Sequence, residues 1–274
     1  MNSLKRIEPL LHQPRFVGRL AKASARLKVA VTQTGWGLQR HPLVAADYGF
    51  NVGDHVGDNP AEVALRRQVL EEWVGSPILW LNQVHGCAVA DAAGAIRLGV
   101  AQQADASVCC VSDVCLAIMT ADCLPVIFVA SDTDGVVRGV GAAHAGWRGL
   151  HAGVLRACAI ELSSRCGLPI HQISAWLGPA IGPQSFEVGG EVRQAFVNLD
   201  SVLAECFAPS SLNTDKFFAD IYALARLDLG AVGIVDVQGG GEDTLSDPHW
   251  FSHRRGQQRG QAAGRMATLV RLLP

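Results

Sequence analysis

The feature that most constrains the fold is a crowd of strand-like runs in the middle of the chain. Apolar stretches at 105–111, 114–120, 125–130 and 136–144 follow one another, separated only by turns such as Asp132-Thr133-Asp134-Gly135. Short apolar runs bounded by turn residues predict buried strands. The gaps are too short for the crossover that joins parallel neighbours, which excludes a simple alternating βαβ sheet. Elsewhere the signals alternate. Strands are expected at 28–33, 78–84, 173–178 and 232–237. Asn59 caps and Pro60 opens a helix that runs to about Trp73. Leu150, Val154, Leu155, Cys158, Ala159 and Leu162 recur near helical spacing after Gly149. Further helices are expected near 189–198, at 215–228 and from Gly264 to Leu273. The expected fold class is α/β (α+β): a single domain of layered mixed β-sheets flanked by helices over 28–274, preceded by a basic N-terminal arm at 1–27.

Composition narrows the function. With 274 residues, 49% of them hydrophobic and 18% charged, the chain has ample material for a packed core. A formal charge of −2 and the lack of a long basic run give no electrostatic footprint for nucleic acid. No apolar stretch is long enough to span a bilayer, and the first residues lack the apolar core of a signal peptide. A cytoplasmic protein is expected. Eight cysteines then read as reduced thiols: Cys115, Cys158, Cys166 and Cys206 sit in apolar surroundings, and no C-x-x-C pair is present.

Three segments carry chemistry: Asn82-Gln83-Val84-His85-Gly86, Thr120-Ala121-Asp122-Cys123-Leu124-Pro125 and Ala143-His144-Ala145-Gly146-Trp147-Arg148-Gly149. Each places one good metal ligand where a strand-like run meets a turn. Two imidazoles and a thiolate make three ligands, a set that leaves a position for water or substrate. Such a mixed set suits zinc, with copper as the competitor. Gln83 and Asp122 lie beside ligands and are candidates to orient them. A lone histidine is more often an ordinary core or surface residue, and spacings of 38 and 21 residues do not by themselves bring the three together.

These segments resemble the YfiH family, also described as laccase-domain, multicopper polyphenol oxidase or purine nucleoside phosphorylase proteins. The matching blocks are NVGDHVGD at 51–58, NQVHG at 82–86, TADCLPV at 120–126, AAHAGWRG at 142–149, GPAIGPQSFEVG at 178–189 and WFSHRRG…AAGRMA at 250–267. The resemblance implies a zinc site at His85, Cys123 and His144. It also implies a single α/β domain related to cysteine hydrolases of the cytotoxic-necrotizing-factor type. The implied activity is phosphorolysis of purine nucleosides (adenosine, inosine, guanosine, methylthioadenosine), with adenosine deamination beside it. Purine nucleoside and phosphate are then the partners, and His85, Cys123, His144 and Arg148 the catalytic candidates. Gln83, Asp122, Arg254 and Arg255 are candidates for substrate or phosphate contact, because an arginine fork suits phosphate oxygens; Arg265 is a further cation in the last block. His55 and His253 are left undecided. The chain departs from the family at Thr34, where the family's early loop carries an arginine.

Two other enzyme classes compete. A copper oxidase of phenols needs several coppers and many histidines, whereas this chain has nine histidines and no His-x-His pair. A hydrolase would use Cys123 as nucleophile with His144 or His85 as its base, acting for example on peptidoglycan precursors. A purely structural zinc site would need a fourth protein ligand, and no motif supplies one.

Overall fold

Every residue of Cys115–Thr120 and of Leu124–Ser131 is buried, so these adjacent strands are covered on both faces. The chain achieves this by placing them in different, stacked sheets. The computed structural model describes residues 7–38, 40–99, 101–211 and 213–274. A five-stranded sheet runs in the order Leu11–His12, Leu27–Thr32, Met266–Leu272, Cys115–Thr120, Ile78–Leu79. A six-stranded sheet runs Val237–Gly239, Ile173–Leu177, Leu124–Ser131, Val137–Ala145, Ala106–Cys109, Val89–Asp91. Both are mixed: Ile78–Leu79, Val89–Asp91 and Val237–Gly239 pair in parallel, their neighbours antiparallel. A small third sheet joins Glu187–Gly189, Lys216–Ala219 and Phe207–Pro209.

Strand alternation then builds the layers. Leu116, Ile118, Met266 and Val270 on one sheet meet Ile127, Val129, Val140 and Ala142 on the other in a central core. The opposite face of the five-stranded sheet, with Ala117, Met119, Ala267 and Leu269, is covered by Val69, Leu70 and Trp73 of the helix Pro60–Val74. The outer face of the six-stranded sheet, with Val126, Phe128 and Ala143, packs on Leu155, Cys158 and Leu162 of Val154–Cys166 and on Leu224 and Leu229 of Ile221–Ala231. The result is the layered, helix-flanked mixed-sheet domain that the crowded strands imply.

Asn59 caps Pro60–Val74 as expected, its Oδ1 accepting from the Ala61 amide at 3.0 Å. The expected terminal helix from Gly264 to Leu273 is instead the strand Met266–Leu272, inserted between Leu27–Thr32 and Cys115–Thr120. Met, Ala and Leu favour helices intrinsically, but burial on both faces decides in favour of the ladder. The expected helix at 215–228 divides into the strand Lys216–Ala219 and the helix Ile221–Ala231, because Asp220 caps the latter by accepting from the Ala223 amide at 2.9 Å. The strand expected at 232–237 lies later, at Val237–Gly239, after a turn through Gly233. The strand expected at 78–84 ends at Leu79, its continuation held by a bridge from Asn82 to Gln103. In the N-terminal segment, residues 1–6 lie outside the described residues. From residue 7 the chain is packed, with Ile7, Leu10 and Leu20 buried and Leu11–His12 paired to Leu27–Thr32.

Candidate metal centre

The three motif segments meet where the chain passes from the five-stranded sheet to the six-stranded one. Cys123 lies in the turn where the chain leaves the five-stranded sheet at Thr120 and enters the six-stranded sheet at Leu124. His144 is next to last in Val137–Ala145, directly across from Pro125. His85 lies in the loop beyond Ile78–Leu79. The ligand atoms of His85, Cys123 and His144 all fall within 4.8 Å of one another. The Cys123 sulfur is 3.8 Å from His85 Nε2, and the two imidazoles stand edge to face with centroids 4.7 Å apart.

Asp105 organises this cluster. Its carboxylate is fully buried and receives four donors: the amides of Val84 (3.2 Å), His85 (2.9 Å) and Gly86 (2.7 Å), and His144 Nδ1 (2.8 Å). One side chain thus folds the His85 loop and fixes the His144 ring, leaving His144 Nε2 for the cluster. A carboxylate on the remote nitrogen of a metal-binding histidine sets its tautomer and raises its basicity.

Local backbone strain marks the same place. Among the described residues, only His85 (φ 62°) and Asp122 (φ 85°) are non-glycine residues in the left-handed region. Such conformations persist where surrounding bonds impose them. Asp122 is held by the Thr244 hydroxyl and the Arg254 amide, each 2.7 Å from its carboxylate, and by the Ile181 amide on its carbonyl. Gly146 matters for proximity: a Cβ there would stand 2.8 Å from His85 Cδ2 and 3.0 Å from the Cys123 sulfur.

The electrostatics favour a charged pair in the metal-free site. Burial opposes ionisation of Cys123, yet the nearby His144 and His85 overcome it and hold the thiol down at about 6. Burial likewise opposes protonation of His144, but Cys123 and Asp105 raise it to about 9. Burial also penalises the Asp105 carboxylate, and its bonds to His144 and the Gly86 amide outweigh that, leaving its pKa below the ordinary aspartate value. A site that stabilises thiolate beside a carboxylate-anchored imidazole offers the donor set a zinc-like cation requires.

The cluster opens into a cavity of about 190 Å³, also lined by His55, Gln83, Met119, His253 and Arg265. A larger cleft of about 520 Å³ is lined by Thr34, Trp36, Tyr48 and Arg255, with no cysteine or histidine among its described lining residues. Chemistry rather than size selects the smaller one.

The residues singled out from sequence fall into distinct places. Gln83 lines the cavity, with its amide clasping both backbone groups of Met119 at 2.8 Å. Asp122 spends its carboxylate on the turn described above. Arg148, Arg254 and Arg255 are not among the cavity-lining residues. Arg148 is exposed, its guanidinium 4.6 Å from the Trp147 ring centroid. Arg254 donates to the Glu187 carbonyl, and Arg255 to the carbonyls of Thr244, Leu245, Asp247 and Trp250. Thr34, where the family's arginine is missing, faces the larger cleft. Sequence reasoning missed Asp105, whose only signal was a lone acid at the head of an apolar run.

Residues 29–273 match the family described as multi-copper polyphenol oxidoreductase laccase. The chain belongs to this family. A Pseudomonas aeruginosa protein named purine nucleoside phosphorylase is 44% identical over 90% of this chain and 94% of that relative. An Escherichia coli protein named purine nucleoside phosphorylase YfiH is 42% identical over 82% of this chain and 86% of its own length. The crystal structure of a Neisseria meningitidis protein superimposes with a TM-score of 0.82 at 38% identity, covering 97% of this chain and all of that one. The resemblance to the YfiH family carried by the sequence blocks is therefore borne out, as is the family fold. Among the described residues, no helix is long and apolar enough to cross a membrane.

Proposed function

We propose that this chain is a zinc-dependent purine nucleoside phosphorylase, acting on adenosine, inosine, guanosine or methylthioadenosine, with adenosine deamination at the same site. One observation carries the reading: His85, Cys123 and His144 converge as a three-ligand set beside a cavity, with no fourth histidine, cysteine or carboxylate in the cluster among the described residues. A closed structural site would use four protein ligands; three leave room for substrate. The names of the relatives supply the reaction class.

When bound there, zinc supplies Lewis-acid polarisation of an oxygen and eases the ionisation of water. The chain's own contributions are more specific. Asp105 keeps the Nδ1 proton on His144 and leaves Nε2 as the atom that would bind a metal. Cys123 is already inclined to lose its proton. The strained backbone at His85 and Asp122 holds the ligands in place before substrate arrives, which is the positioning that lowers a barrier. In phosphorolysis a phosphate oxygen forms a bond to C1′ of the ribose as the bond from C1′ to the purine nitrogen breaks. The purine leaves with the electron pair and takes up a proton. The cavity, about 190 Å³, is smaller than the roughly 300–1,000 Å³ usual for ligand pockets, so part of a nucleoside bound there lies outside it.

A second reading has its own observation. Asp105, His144 and Cys123 form a relay resembling the carboxylate, imidazole and thiolate of a cysteine hydrolase. The family description points to copper oxidation, but among the described residues there is a single three-ligand cluster, and multicopper chemistry needs several. Metal analysis of protein purified without added metal, together with phosphate-dependent release of adenine from adenosine, separates the three. About one equivalent of zinc and strictly phosphate-dependent release is expected. Copper, or phosphate-independent turnover that survives chelation and is abolished by thiol alkylation, overturns the phosphorylase reading.

A further inference from the structure

The reaction proposed above needs a cation for its phosphate, and Arg148, Arg254 and Arg255 all have their guanidiniums outside the metal cavity. Arg265 is the arginine that lines it, together with His85, Cys123 and His144. Its position is built with care. The Arg265 amide donates to Asn51 Oδ1 at 2.7 Å, and its carbonyl accepts from the Val52 amide at 3.1 Å. Asn51 is fully buried and itself tied to the Gly53 carbonyl and the Asp58 carboxylate. Gly53 leaves space for the arginine stem: a Cβ there would come within 2.8 Å of Arg265 Cγ and 3.0 Å of its Cβ. The glycine-rich loop at 51–58, which the reaction had not otherwise absorbed, is thus the cradle of this side chain.

The charge at its tip is only partly satisfied. Nη1 donates to the carbonyls of Ala263 (2.8 Å) and Gly264 (3.1 Å), which face one edge of the guanidinium. Among the described residues no carboxylate forms an ion pair with it, and the nearby Asp122 carboxylate is committed to Thr244 and the Arg254 amide. Arg66 shows how this protein treats a buried guanidinium with a structural role. It is paired to Asp58 at 2.6 Å and to Glu62 at 2.7 Å. Cys123 and then Asp122 supply the negative charge that supports this guanidinium, but Asp122 is spent on its turn and Cys123 is a metal ligand in the reading above, so a half-buried guanidinium here favours an added anion. An arginine fork matches two oxygens of a tetrahedral oxyanion.

We propose that Arg265 is the phosphate-binding residue of the cavity, held beside the metal ligands by the Asn51–Gly53 loop, and that its ligand is inorganic phosphate. This rests on the phosphorylase reading for its choice of oxyanion. The side chain neutralises the phosphate and sets it beside the ribose; it takes no part in bond making or breaking.

The test is calorimetric titration of inorganic phosphate into the zinc-reconstituted wild type, Arg265→Met, Arg265→Lys, Gly53→Ala and Arg148→Met. Losing a charge-assisted pair of hydrogen bonds should weaken phosphate at least about tenfold in Arg265→Met, with zinc content unchanged. Gly53→Ala, which keeps the guanidinium but displaces its stem, should show the same direction of change. Arg265→Lys should recover part of the binding, and Arg148→Met should match wild type. Phosphate binding that is absent in wild type, equal in Arg265→Met and Arg265→Lys to wild type, or lost in Arg148→Met instead, overturns the proposal. The two readings fail separately. If phosphate binds through Arg265 but no purine nucleoside releases its base, the phosphorylase reading falls and the anion site stands. If base release is phosphate-dependent with the same phosphate KM in Arg265→Met, the anion site falls and the phosphorylase stands.

Discussion

Replacing Asp105 by Asn tests whether one carboxylate assembles the metal centre. In the native site, one oxygen serves the His85 amide and His144 Nδ1, while the other serves the amides of Val84 and Gly86. An asparagine oxygen can serve one of these pairs; its NH2 group then faces the other pair, donor against donor. Two partly buried donors lose their acceptor, at up to about 1–3 kcal/mol each, so a loss of up to roughly 2–6 kcal/mol in folding stability is expected from chemical denaturation of the metal-free protein. Metal affinity should fall about 10–100-fold as the His144 ring loses its anionic anchor. Competition against a chromophoric chelator measures that directly. Metal affinity within about threefold of wild type, with an unchanged denaturation midpoint, would falsify the organising role of Asp105.

Four further outcomes are expected. Gly146→Ala drives a methyl group toward His85 and Cys123, so metal binding should weaken at least about tenfold while far-ultraviolet circular dichroism is unchanged; normal metal content would show that the site relaxes freely. In the metal-free protein, iodoacetamide should modify Cys123 along a titration centred at about 6, with Cys123→Ser as the blank. With Cys123 lowered to about 6 and His144 raised to about 9, the folded pair holds one proton between those values. An unfolded thiol and imidazole also hold one between about 6.5 and 8.5. The stability this pair contributes should therefore be flat across that interval. It is lost as pH falls through 6, where the thiolate protonates, and as pH rises through 9, where the imidazolium deprotonates. A wild type whose stability relative to the Cys123→Ser/His144→Gln double variant slopes steadily across about pH 6.5–8.5 would rule this out. Arg255→Met removes the donor for four carbonyls around residues 244–250 and should lower the denaturation midpoint without changing metal content.

The three candidate ligands were legible because each lies in or just beyond an apolar, strand-like run next to a turn, although the His85 run pairs only at Ile78–Leu79 and the residue itself sits in the loop that follows. The layered fold was legible for a related reason: Cys115–Thr120 and Leu124–Ser131 are uniformly apolar, as strands covered on both faces must be. Met266–Leu272 was not legible, because its Met, Ala and Leu favour a helix and only its partners, Leu27–Thr32 and Cys115–Thr120, decide for the strand. Asp105 was hidden for a different reason: its four donors come from residues about 20 and 39 positions away, and nothing local announces them. The arginines were visible as charges, but which one lines the cavity depends on side-chain direction at a sheet edge, and that is a property of the assembled layers.

The crossing of Cys123 from one sheet to the other has a mechanical consequence. His144 belongs to the six-stranded sheet, His85 to the loop continuing from the five-stranded one, and Cys123 to the link between them. A cation gripping all three would act as a rivet through two plates whose shared core is greasy and non-directional, with the Asp105 bonds as the directional tie beside it. Sliding of one plate over the other would shear the rivet, so occupancy should stiffen the inter-sheet core well beyond the ligands themselves. Amides of Ile118 and Val140, far from the metal yet on facing plates, are where slower hydrogen exchange on metal addition would register that stiffening.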